Sequence, residues 1–119
     1  MEYDEADGRE FARSMDRAIY YLYLLKKGKT WSPDPSPEVD ALQDAHLGNL
    51  QRLREEGKLV LSGPLLDSFQ SGGEIRSIGV LKANSLAEAR DWISTDPMVK
   101  AGRLVAELHA WMVPKGILP

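Results

Sequence analysis

The stretch "RLVAELHAWMV", residues 103–113, alternates strictly enough to fix a strand and the character of both its faces. Leu104, Ala106, Leu108, Ala110 and Met112 fall on one side. Val105, Glu107, His109, Trp111 and Val113 fall on the other, because successive strand side chains point to opposite faces of a sheet. The first face is wholly apolar and demands a covering layer. The second mixes charge with Val105, Trp111 and Val113, too much apolar surface to leave in water.

A second strand is legible in "AIYYLYLLKKG" (18–28), aromatic, β-prone and apolar on both faces, ending in lysines and glycine. The loop "KTWSPDPSPE" (29–38) holds three prolines and is stiff rather than helical. Ser36 is placed as an N-cap, with Pro37 at the first helical position. From Pro37 to Glu56, Val39, Leu42, His46, Leu50 and Leu53 recur at spacings of three and four, which predicts an amphipathic helix stopped by Gly57. "KLVLSGP" (58–64) is a short strand, "LLDSFQSGG" (65–73) a connection, and "EIRSIGVLKA" (74–83) a further strand. "SLAE" (85–88) is a capping box. The helix it opens buries Leu86, Ala89 and Ile93 and ends near Asp96-Pro97, since a residue before proline resists helical geometry.

The order is strand, helix, strand, strand, helix, strand. Two split βαβ halves of this kind give a ferredoxin-like α+β fold, a four-stranded antiparallel sheet with two helices on one face. The helices take the apolar face of the last strand. A second subunit stacked on the mixed face is the simplest cover there, so a homodimer is expected. Residues 1–17 contain six acids and three arginines and form a charged extension before a domain at 18–119. Phe11 and Met15, four apart, suit a short docked helix, and the composition suits disorder equally.

With 119 residues, the chain is one domain. Its net charge of −3 and the absence of any long basic run argue against nucleic acid as the main ligand. It has no cysteine, which excludes disulfides, thiolate metal sites and cysteine nucleophiles. No stretch approaches the ~20 apolar residues of a membrane span, and the N-terminus lacks an apolar signal core. These features read as a cytoplasmic protein with no membrane partner. Phosphate-loop, dinucleotide-binding, zinc-protease and serine-hydrolase motifs are all missing. His46 and His109 lack a metal-ligand spacing, so no metal and no cofactor are expected.

Two longer pieces, "AHLGNLQRLREEGKLVLSGP" and "AEARDWISTDPMVKAGRLVAELHAW", together resemble the YciI-like (YCII-related) family over about residues 19–116. The resemblance rests on the helix histidine, the Gly-Lys-Leu…Gly-Pro strand and the Asp-Pro…Ala-Gly segment, in that order and spacing. It implies a dimeric ferredoxin-like α+β barrel of the kind that acts on small organic molecules. It also implies a catalytic pair, a helix His and the Asp of the Asp-Pro segment, which match His46 and Asp96. The acidic extension and the "KTWSPDPSP" loop depart from the family, so no relative's substrate carries over directly.

Each candidate also has a plain structural reading. His46 suits a satisfied core or interface histidine as well as an acid/base. Asp96 suits an N-cap for the short turn "PMVKA" as well as a partner for His46, and one carboxylate can serve both. Gly63 and Pro64 end a strand and can line a substrate pocket. Trp31 suits a lid or pocket wall, or packing against a neighbouring subunit. Tyr23, with Tyr21 on the same strand face, suits core packing or a phenol in a pocket. Arg103, Glu107 and His109 read as interface or pocket-rim polarity.

The leading expectation is a cofactor-independent enzyme that moves protons on a small cyclic or unsaturated carbonyl compound, as an isomerase or lyase would. The alternatives are a dimeric metabolite-binding or accessory module, and a purely structural barrel.

Overall fold

The structure, a computed structural model, describes residues 2–119. Met1, the first residue of the charged extension, lies outside the described residues. The segments read as strands become β1 (Arg17–Lys27), β2 (Leu59–Pro64), β3 (Ile75–Leu81) and β4 (Leu104–Pro114). They pair antiparallel in the order β2-β3-β1-β4. This is the ferredoxin-like arrangement that the order of elements predicts.

Register sorts the side chains as alternation requires. Tyr21 and Tyr23 of β1 lie opposite Leu81 and Gly79 of β3, and opposite Ala110 and Leu108 of β4. Helices α2 (Pro37–Glu55) and α4 (Leu86–Ile93) cover this inner face. Leu53 from α2 and Ala89 and Ile93 from α4 join Tyr23, Leu25, Leu81 and Leu104 in one buried core, with Ala106, Leu108 and Ala110 against its edge. Removing apolar surface of this kind from water contributes about 25 cal/mol per Å².

Local signals set the helix ends. The Ser36 hydroxyl accepts from the Val39 amide at 3.1 Å, and Gly57 takes the left-handed conformation just after α2 (φ 75°). The Ser85 hydroxyl accepts from the Glu88 amide at 3.0 Å, while the Glu88 carboxylate reaches one residue further back than a standard box, to the Asn84 amide at 3.0 Å.

Two expectations are corrected. The segment 65–73 is not a plain connection: it contains α3 (Leu66–Ser71), closed by Gly72 in the left-handed conformation (φ 71°). Its serines and glycines read as turn residues, yet six residues suffice for a helical turn once glycine ends it. The extension forms α1 (Glu5–Ser14), capped by Asp4, whose carboxylate accepts from the Asp7 amide at 3.0 Å. It buries Ala12 rather than Phe11 or Met15, both of which stay exposed; a methyl permits close approach where a ring does not. Glu5 of α1 accepts from the Leu86 amide at 3.0 Å, an anion at the positive end of α4.

The outer sheet face is only partly covered. Val113 is buried against Tyr20, Val80 and the C-terminal Leu118, whereas Val105 and Trp111 are 51% and 47% exposed. Between them Glu107 bonds Lys26 and His109, each at 2.8 Å, and these hydrogen bonds, that from Lys26 first, hold its carboxyl below the usual range.

Candidate active site

α2 presents His46 toward the turn that follows α4. That turn, α5 (Pro97–Lys100), starts as the sequence suggests, with Asp96 as its N-cap and Pro97 at the first helical position. Asp96 Oδ1 accepts from the Met98 amide at 2.9 Å. Its other oxygen, Oδ2, lies 2.6 Å from His46 Nδ1. Asp96 has no solvent exposure and His46 only 8%. An ionised carboxylate only accepts hydrogen bonds, so Nδ1 is the donor in this contact. Asn49 and Thr95, bonded at 3.1 Å, tie α2 to the same turn from the side.

His46 lines a cavity of about 650 Å³ at the end of the inner sheet face, a volume suited to a small organic molecule. Tyr23, Ser62, Gly63 and Pro64 form the sheet side of it, Leu47 and Leu50 the helix side, and Trp31 the side of the proline-rich loop. Of the pocket candidates singled out in the sequence, Gly63, Pro64, Trp31 and Tyr23 lie on this wall, whereas Glu107 and His109 do not. Asp96 sits behind His46, out of solvent. Tyr21 also lies elsewhere: it faces a separate hollow of about 340 Å³ beside α1, walled also by Arg9, Arg13, Arg17 and Lys115.

Tyr23 is a protonated phenol across the neutral range. Burial raises it well above its ordinary value, against the opposing pull of the Ser62 hydroxyl, and the charge of Asp96 adds to the rise. Gly79 opposite makes room for the ring, since a Cβ there would run into the Tyr23 phenol.

Two arginines were not fully legible as site residues. Arg103 read as interface or pocket-rim polarity because it continues the odd-numbered face of β4; it does line the cavity, but as a buried residue. The signal that breaks the alternation is Gly102, left-handed at φ 75°, which turns the chain just before the strand. Arg76 on β3 lines the same cavity. Both guanidiniums lie over the Trp31 ring, 4.4 Å and 4.7 Å from its centroid. Among the described residues, no three His, Asp or Glu side chains converge as a metal-ligand set, and no helix is long and apolar enough to cross a membrane.

The YCII-related domain model matches residues 19–111. The chain belongs to the YCII-related family. Protein YciI of Escherichia coli O6:H1 is 38% identical over 88 residues, which span 71% of this chain and 85% of that protein. Protein YciI of Shigella flexneri matches to the same extent. Among solved structures, the YCII-related chain is similar to 5-chloro-2-hydroxyhydroquinone dehydrochlorinase (TftG) from Burkholderia phenoliruptrix AC1100, in complex with 2,5-dihydroxybenzoquinone. The TM-score is 0.54 at 22% identity, covering 79% of this chain and 93% of that one. At that identity the likeness establishes a shared fold. The His46 helix and all but the last three residues of β4 lie within the matched span, whereas α1 precedes it.

Proposed function

We propose that this chain is a small cytoplasmic enzyme, homodimeric through its outer sheet face, that moves protons on a small cyclic or unsaturated carbonyl compound without a cofactor. His46 is the general acid/base, and Asp96 holds its tautomer and stabilises the imidazolium once it forms. One observation carries the reading: a ring nitrogen 2.6 Å from a fully buried carboxylate, on a residue that lines a cavity of small-molecule size. The fold relative whose name ties it to dehydrochlorination of a hydroquinone supports the same substrate scale.

In the reaction, Nε2 takes a proton from a carbon or hydroxyl of the substrate. The proton returns to another atom in an isomerisation, or departs with a leaving group in an elimination. Tyr23, protonated at neutral pH, donates toward a substrate oxygen. Gly63 and Pro64 shape the wall beside it, and Trp31 closes the loop side.

The test begins with 5-chloro-2-hydroxyhydroquinone, followed by chloride release, and extends to unsaturated carbonyl compounds followed by loss or exchange of a proton. For a compound that is turned over, His46→Ala lowers kcat about 10²–10⁴-fold. Asp96→Asn does the same, because an amide that donates to Nδ1 forces the ring proton onto Nε2. A His46→Ala protein with full turnover would sink the reading.

A second reading draws on the Met98 amide bond: the pair is a buried tie between α2 and α5 in a binding or accessory module. It requires ligand-dependent stabilisation without turnover. In it, His46→Ala loses about 1–3 kcal/mol of stability by leaving Asp96 unpaired.

A further inference from the structure

We infer that the cavity is built for a small planar organic anion, a carboxylate or an ionised enol or phenol, with Arg103 as its principal anchor and Arg76 as a second cation. The inference rests on the acid–base reading only in placing that anion beside His46.

Arg103 is only 8% exposed, and a buried cation is ordinarily paired with a carboxylate. This one is not: among the described residues it has no ion pair, and its Nε is shielded from solvent with no hydrogen-bond partner. Less buried cations elsewhere are better matched. Lys26 bonds Glu107, Arg52 bonds Glu56 and Lys115 bonds Asp16.

What holds Arg103 instead is the Trp31 ring, 4.4 Å from the guanidinium carbon. An aromatic face attracts the cation without using its N–H donors. The backbone is pinned as well: the Arg103 amide donates to Met98 O at 3.0 Å, and its carbonyl accepts from the Gly28 amide at 2.8 Å. The result is an oriented fork of donors with one partner still to come.

Arg76, half-buried and 4.7 Å from the same ring, spends one bond on the Gly73 carbonyl at 3.2 Å and pairs with no carboxylate among the described residues. Among the described residues, Asp40, exposed, is the one carboxylate in the cavity wall, and Asp96 behind His46 is already engaged by His46 and Met98. The field inside therefore favours a negative ligand. Trp31, Tyr23 and the leucines of α2 favour one with a flat apolar body.

Matched probes test this with the intact protein. Benzoate is compared with its neutral isostere benzamide, and pentafluorophenolate with phenol, each by chemical-shift titration. The expected result is an anion that binds about ten- to a hundredfold more tightly than its neutral partner, the range of a charge-assisted hydrogen bond. Preference in the first pair identifies a carboxylate site, and in the second a phenolate or enolate site.

Arg103→Met, which keeps an apolar chain against Trp31, should remove most of the preference; Arg103→Lys should restore part of it. Should the Met variant not fold, Arg76→Gln, at a half-buried position, should still reduce the preference several-fold. Equal affinity within both pairs, no saturable binding of either anion, or an undiminished preference in Arg103→Met each overturns the inference. None of these outcomes touches the turnover test of His46. A fully active His46→Ala protein would conversely leave the anion preference standing.

Discussion

An imidazole at an exposed helix position needs nothing; at 8% exposure it needs a partner, and the partner defines what the ring can do. Here it is a carboxylate with no solvent at all, so the ring is fixed in one tautomer and orientation. Tyr23 is set by the same surroundings in the opposite sense, since a buried phenol resists ionising. Its folded value lies above the unfolded one near 10.0. The associated stability is therefore complete below that value and is lost as pH rises through the window above it. We expect urea midpoints to fall above about pH 10, and Tyr23→Phe to flatten that fall; an unchanged alkaline slope in Tyr23→Phe would contradict it. At this scale the sequence was partly legible. The cap role of Asp96 followed from Pro97 beside it, but its link to His46, fifty positions away, lay beyond any local pattern and came from the family likeness. Arg103, read as interface or pocket-rim polarity, does line the cavity; its burial was not legible, because Gly102 turns the backbone just before β4.

The elements were legible wherever periodicity and caps agreed. β1, α2, α4 and β4 carry long, unmixed patterns, and Ser36, Ser85 and Gly57 mark ends that the backbone adopts. α1 and α3 were harder, for different reasons. α1 docks through a small side chain, Ala12, so hydrophobicity pointed to the wrong residues. α3 is too short to display a period and has no side-chain cap. The contact between β3 and β1 at the cavity is also an element-scale property, because Gly79 is the hole into which the Tyr23 ring fits. Gly79→Ala should destabilise the protein by about 1–3 kcal/mol, the usual range for overpacking. Urea unfolding measures it, and a neutral result would show that the ring can move aside freely.

At the scale of the whole molecule, one sheet face is closed by helices and the other is left with Val105, Trp111 and Leu61 at 51%, 47% and 63% exposed. Leu22, Leu24 and Ile78 are half-buried on the same outer side. A second copy covering this face would have to keep the Lys26–Glu107–His109 group bonded as it goes out of water. We expect sedimentation at the mass of a dimer for the native chain, and at that of a monomer for Trp111→Glu. A native chain that sediments as a monomer at all concentrations would remove the dimer from the proposal and leave the cavity as it is. The alternation in 103–113 foretold an incompletely covered face, but not that Leu118 would fold back over one end of it.

Asp96 divides its two oxygens between a backbone amide and a side chain, and that division couples two things usually considered apart. The bond that starts the four-residue α5 turn and the bond that steadies the imidazole share one carboxylate. A fluctuation that frays the turn therefore also unhooks the ring. The fraction of molecules with His46 held in place is governed by the opening equilibrium of that turn, a local quantity that can vary while the global unfolding free energy stays constant.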